Sequence, residues 1–182
     1  MIEALRERLA RRAVRSAVAS RRASPVFRPL RERVLLLVLP ADEHRQRAGW
    51  DVEAALDLGS GALSAVVLAD GMPYVPDRHA GAVVTVRAED RDWRRLPTRA
   101  VAEAAWDRAP DVALDLTGDD DWAGPYLVGG APAPVRIGRH RADAEPCYDL
   151  MLAGDPSPAA VVDLLRQIDP PLLPLAPRAD PA

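Results

Sequence analysis

With 182 residues and 48% hydrophobic content, the chain can build one domain with its own core plus tails. The longest apolar run, Val34 to Leu39, is too short to span a bilayer, and Met1 to Ala23 lacks the apolar stretch of a signal peptide. Cys147 is the sole cysteine, which excludes a disulfide framework and cysteine-based metal spacing.

The net charge of −3 conceals an uneven distribution. The chain has no Lys, so all 24 basic residues are Arg. Ten of them fall in residues 1–33, against Glu3, Glu7 and Glu32. The remaining fourteen face twenty-four acidic residues. A basic arm therefore precedes an acidic body, a split that goes with phosphate or anionic surfaces, or with an arm folded back on its own body.

In chain order, Ile2, Leu5, Leu9, Ala13 and Ala17 recur at helical spacing, which predicts a helix to about Arg22. Arg8, Arg11, Arg12 and Arg15 lie mostly off that stripe. Ser24-Pro25 breaks the pattern and Pro29 keeps the link extended. Val34 to Leu39 reads as a strand covered on both faces. Ala41 to Leu58 reads as a helix with Asp42 near its start, Gly59 past its end, and Trp50, Ala54, Ala55 and Leu58 inward. Leu63 to Leu68 and Ala82 to Val86 read as strands. Glu89 to Pro97 is a charged loop around Trp93. Thr98 reads as the N-cap of a helix through Trp106, with Val101, Ala102 and Ala105 inward.

The stretch from Asp111 to Leu152 then reads as strand, acidic turn, helix, strand, Arg-rich loop, strand. Its strands are Asp111 to Leu116, Val135 to Ile137 and Tyr148 to Leu152. The helix from Asp121 to about Val128 is closed by Gly129-Gly130. Asp155-Pro-Ser-Pro158 starts a last helix with Val161, Val162, Leu164, Leu165 and Ile168 inward. This order implies a three-layer α/β domain with a mostly parallel sheet of five to six strands, Rossmann-like, whose ligand crevices lie at the carboxyl ends of strands. The expected organisation is a basic amphipathic helix at 1–24, a linker at 25–33, one α/β domain at 34–168, and a Pro-rich tail at 169–182 that is expected to be disordered.

Candidate chemistry gathers at the rim of that sheet. Asp115 closes a strand, and Asp119 and Asp120 open the following helix. Carboxylates there could hold Mg²⁺, or simply cap the helix and favour its dipole. Arg136 and Arg139, with Gly138 between them and Arg141 beyond, could clamp a phosphate or carboxylate, Gly138 allowing close backbone approach. They could equally pair with Asp143, Glu145 or Asp149. His140 stands near this crevice without a positioned partner. His44 and His79 are expected near the surface. Ser60, Ser64 and Ser157 sit in no Gly-x-Ser-x-Gly elbow, and Cys147 is expected in the core. No catalytic constellation, metal site or cofactor is expected. On the arm, Arg8, Arg11, Arg12 and Arg15 are candidates for contact with an anionic surface, RNA or lipid. The plainer alternative is that its apolar stripe docks on this protein, a protein partner or a second copy.

The segments Pro110-Asp-Val-Ala-Leu-Asp-Leu, Val135-Arg-Ile-Gly-Arg and Tyr148-Asp-Leu-Met resemble a bacterial domain-of-unknown-function family found mainly in Bacteroidetes. Members of that family open with a basic helix and carry a charged Asn/Asp-Trp element before a helix, matched here by Asp92-Trp93. The resemblance implies a fold and no activity. A weaker likeness, in the strand ending Asp-Leu and the Arg-Ile-Gly strand end, is to the N-terminal Rossmann-like half of heptosyltransferase-type glycosyltransferases. The expectation is a cytoplasmic, non-catalytic interaction or ligand-binding module. Its alternative is a single-lobe transferase-like protein acting on a phosphorylated or nucleotide-sugar substrate with a partner chain.

Overall fold

Continuous apolar strands alternating with one-sided helices can bury themselves only as a sheet shielded on both faces. A computed structural model of the chain describes residues 2–20, 33–56, 62–118, 121–154 and 157–168. Its elements are α1 (Ile2–Ser20), β1 (Leu35–Leu39), α2 (Glu43–Leu56), β2 (Leu63–Leu68), β3 (Ala82–Val86), α3 (Arg99–Trp106), β4 (Val112–Asp115), α4 (Ala123–Gly130), β5 (Val135–Arg139), β6 (Leu150–Leu152) and α5 (Pro158–Gln167). The six strands form one sheet in the order β3-β2-β1-β4-β5-β6, and every pairing is parallel. This is the Rossmann strand order, in which the winding reverses between β1 and β4 and leaves a crevice at their carboxyl ends.

The pleat sorts the core. Leu36, Val38, Val66 and Ala113 pack on one face with residues of α1, α3 and α4. Leu35, Leu37, Leu39 and Leu114 pack on the other with Trp50, Val161 and Leu165 of α2 and α5. All five residues of β1 are fully buried, and burying a Leu side chain contributes about 1.5–3 kcal/mol.

Helix α1 lies on α4 and buries Ala10 and Val14. The guanidinium of Arg11 lies over the Trp122 ring, and Val18 meets Gly129. These pairs keep the same sequence offset, so the two helices run in parallel. Gly129 and Gly130 are the last two residues of α4, at the expected close of the helix. A Cβ on Gly129 would come 2.9 Å from Val18, and one on Gly130 would come 2.9 Å from the Trp106 ring. The glycines are there to let the helices touch, a packing role that their spacing in sequence does not distinguish from a helix stop.

Helix α2 also turns differently from its apolar pattern. It buries Gln46, Gly49, Trp50 and Val52, whereas Ala54 and Ala55 are exposed and Leu58 lies outside the described residues. The cause is polar. Gln46 donates to the Pro40 carbonyl at 2.9 Å and accepts from the Tyr74 amide at 2.9 Å, and the Trp50 indole donates to the Tyr74 carbonyl at 2.8 Å. A buried amide that satisfies both its donor and its acceptor fixes the helix face. The same contacts pin the long connection between β2 and β3, which carries His79 inward. The His79 side chain is 1% exposed, packed 4.7 Å from Trp50 and bonded to Glu53 at 2.7 Å. Its side chain is enclosed, contrary to the expectation of a solvated surface histidine.

Strand β5 runs on to Arg139, two residues past its expected end, and β6 begins only at Leu150. At α5, Ser157 caps the first turn by accepting from the Ala160 amide, with Pro158 in the first helical position.

Candidate functional site

The turn after β1 is Pro40-Ala41-Asp42, where a dinucleotide-binding sheet would place glycines. Asp42 accepts from the Arg45 amide at 2.9 Å. Its carboxylate thus occupies the N-terminus of α2, the position a pyrophosphate would take. Any anion in the crevice must therefore be held from elsewhere.

A cleft of about 990 Å³ opens at this end of the sheet. Its floor is Pro40, Ala41, Thr117 and Gly118, at the ends of β1 and β4. Glu3, Arg6, Glu7 and Ala10 of α1 form one wall. Arg91, Arg94 and Arg95 enter from the loop before α3, Arg45 from α2, and Arg139 and Arg141 from the end of β5. Among the described residues, seven Arg line the cleft against Glu3, Glu7, Asp42, Asp121 and Asp143.

Many of these charges are paired at the rim. Arg91 meets Asp121 at 3.1 Å, Arg94 meets Asp92 at 2.6 Å and Arg6 meets Glu3 at 2.7 Å. Arg141 donates to the Asp121 carbonyl at 3.0 Å and lies 4.5 Å from the centre of the Trp122 ring. Arg139 donates to the Gly154 carbonyl at 2.9 Å. Arg95 stands apart in its backbone, with φ +64°. A side chain in the left-handed region costs about 1 kcal/mol, and such strain gathers at binding sites. Asp92 holds the loop around it, accepting from the amides of Arg94 and Leu96 and donating its own to the Leu96 carbonyl.

Below the floor lies Asp115. Its carboxylate is buried and accepts from the Thr117 amide at 2.8 Å, the Thr117 hydroxyl at 2.7 Å and the Tyr148 hydroxyl at 2.5 Å. Burial nevertheless raises its pKa above the ordinary carboxylate range, since loss of water outweighs the three donors. Burial also raises Tyr148, with the Asp115 charge adding to it, and pushes the Cys147 thiol up to about 12. Gly124, in the first turn of α4, rests directly on the Asp115 carboxylate, where a Cβ would come within 2.3 Å of an oxygen.

The residues singled out in the sequence part company in space. Arg136 is buried and pairs through Nε with Asp149 at 2.9 Å, with a second bond from Nη2. Gly138 makes room for the Tyr148 ring, 2.3 Å from where its Cβ would be, so the neighbour it admits is a side chain of this protein. Side chains alternate along a strand, so Arg136 and Gly138 share the Asp115 face and Arg139 faces α2 and α5. Of the original set, only Arg139 lines the cleft; Asp119 and Asp120 lie outside the described residues. On α1, Arg8, Arg12 and Arg15 are exposed, while Arg11 turns inward to Asp143 at 3.0 Å. His44 and His140 are exposed, and Cys147 is buried.

The cleft residues that the sequence did not single out are Arg6, Arg45, Arg91, Arg94 and Arg95. For Arg91, Arg94 and Arg95 the signal was the charged loop around Trp93; Arg6 and Arg45 had none. Their convergence depends on α1 and α2 meeting that loop in space. Among the described residues, no group of three His, Cys, Asp or Glu side chains is placed to hold a metal ion. No described helix is long and apolar enough to cross a membrane. The chain matches no family model, no curated protein and no solved structure significantly.

Proposed function

We propose that the protein is a non-catalytic module that binds a small phosphate- or carboxylate-bearing ligand in the cleft at the carboxyl ends of β1 and β4. The observation that carries this reading is the gathering of seven Arg from four separate parts of the chain around one crevice. Among the described residues the lining carries seven Arg against five carboxylates, and although several of these charges are paired, the positive excess favours an anion. Guanidinium groups match phosphate and carboxylate oxygens two at a time. The strained Arg95 backbone and the position of the crevice at the winding reversal support the same reading.

With Asp42 seated at the N-terminus of α2, the anion belongs on the side of Arg91, Arg94 and Arg95. Calorimetric titration of the full chain with ribose 5-phosphate and UDP-glucose, at low and high salt, tests this. Saturable binding is expected that weakens with salt and falls at least tenfold in an Arg94→Ala/Arg95→Ala double variant. Absence of binding at millimolar ligand, or an affinity indifferent to that variant, overturns the site. Time-dependent release of UDP from UDP-glucose would instead support the transferase alternative and overturn the non-catalytic reading.

A further inference from the structure

A second hollow, of about 270 Å³, opens between α2 and α5 on the opposite face of the sheet. Ala48, Val52, Leu116, Pro158 and Val161 give it apolar walls, and His44, Arg45, Arg139 and Ser157 add polar groups to the lining. Val52 and Val161 belong to the core of that face and are 1% exposed. The hollow adjoins the charged cleft, because Arg45 and Arg139 line both. The two spaces are thus neighbours at the carboxyl ends of the strands, one mostly charged and one with largely apolar walls.

We infer that the ligand is amphiphilic, with its anionic head among the Arg of the cleft and a short alkyl or aryl arm passing into the neighbouring slot between α2 and α5. The inference rests on the anion-binding reading above and adds the chemical class of the ligand to it. At about 270 Å³ the slot has room for several waters beside its apolar residues. Water released from such walls is the usual source of affinity for an apolar group. Each methylene that replaces it strengthens binding by about fourfold when fully buried. Arg45 and Arg139 suit the junction, because an Arg side chain presents an aliphatic stem to the apolar arm and a charged end to the head.

The experiment compares methyl phosphate, n-hexyl phosphate and n-hexanol on the full chain by calorimetry and amide chemical shifts. The expected result is that n-hexyl phosphate binds at least tenfold more tightly than methyl phosphate. Its additional shift changes should fall at Ala48, Val52 and Val161. An Ala48→Phe variant, which fills the slot from a half-buried position, should remove the tenfold gain and leave methyl phosphate binding as it was. Equal affinity for the two phosphates overturns the amphiphile and leaves the anion site standing. Equal affinity for n-hexyl phosphate and n-hexanol, with none for methyl phosphate, overturns the anion site itself. Shift changes confined to the charged cleft of the parent protein overturn the placement of the arm, whether or not the Ala48→Phe variant folds.

Discussion

Tyr148 donates its hydroxyl hydrogen to Asp115 across 2.5 Å, from a ring that lies flat where Gly138 has no side chain. This contact ties β4 to the segment leading into β6 beneath the floor of the cleft. Tyr148→Phe strips one donor from a buried carboxylate and should cost about 1–3 kcal/mol. Gly138→Ala should cost at least as much, because its Cβ would meet ring carbons at 2.3 Å and the ring cannot leave without abandoning Asp115. Urea unfolding of both variants measures this. A Gly138→Ala protein as stable as the parent would mean that the ring has room to move.

Asp115 also sets a pH dependence whose direction is the reverse of the usual carboxylate. Its pKa in the folded protein lies above the ordinary value of 3.8, chiefly through burial. Between those two values the folded state holds more protons than the unfolded one. Stability must then fall as pH rises through that window. Asp115→Asn keeps a carbonyl acceptor for Thr117 and removes the titration. The variant should therefore gain on the parent as pH rises from about 4, in unfolding curves taken at intervals of half a pH unit. A stability difference that stays flat with pH overturns the assignment to Asp115.

Cys147 offers a probe of the same region. The thiol is 2% exposed and its pKa is pushed up to about 12 by burial, with the Asp115 charge adding to it. Thiolate is the reactive form, so native protein at about pH 8 should react with a disulfide reagent far more slowly than protein unfolded in urea. A native rate equal to the unfolded rate would place this thiol at the surface.

The architecture was legible because it depends on local pattern. Val34 to Leu39 suits a doubly covered strand, and strands alternating with helices favour a parallel sheet. Asp155-Pro-Ser-Pro158 marked where α5 begins. The interior of the site was not legible in the same way. Arg136 and Arg139 are three residues apart in one Arg-rich stretch, and nothing in sequence says that β5 continues far enough to send them to opposite faces. Arg6 and Arg95 are far apart in the chain and meet one cleft only after α1 docks. Gln46 breaks the apolar stripe of α2, and its value lies in two backbone groups, one in the turn just before the helix and one at Tyr74, far along the chain. His79 was misplaced for the same reason, since its burial depends on Trp50 and Glu53 of α2.

Gly130 gives a test in which two effects oppose each other. Ala is the better helix former, by about 1 kcal/mol in a helix interior and by less at the last helical residue, where Gly130 stands. Here a Cβ would stand 2.9 Å from two atoms of the Trp106 ring and 3.2 Å from Ala17. The ring is held in place by the bond from its indole nitrogen to the Leu127 carbonyl at 2.9 Å. Overpacking of this kind costs about 1–3 kcal/mol, so Gly130→Ala should be neutral to destabilising despite the better helix former. A rise in melting temperature would show that α1 and α3 yield easily at this point.

The Arg136–Asp149 pair should respond unequally to the loss of either partner. Arg136 is 3% exposed, whereas the Asp149 side chain is 40% exposed. Removing Arg136 leaves a carboxylate that water can reach, and Asp149 keeps its bond from the Arg136 amide. Removing Asp149 leaves a guanidinium enclosed in the protein, with Nη1 already buried and unpartnered. A buried charge stripped of its counter-charge costs about 3–5 kcal/mol, whereas an apolar side chain of similar size in its place is often tolerated. Asp149→Ala should therefore destabilise the protein by more than Arg136→Met, by about 2 kcal/mol or more in denaturant unfolding. The opposite order would mean that Arg136 reaches solvent once Asp149 is gone, by swinging its long side chain out past the edge of β6.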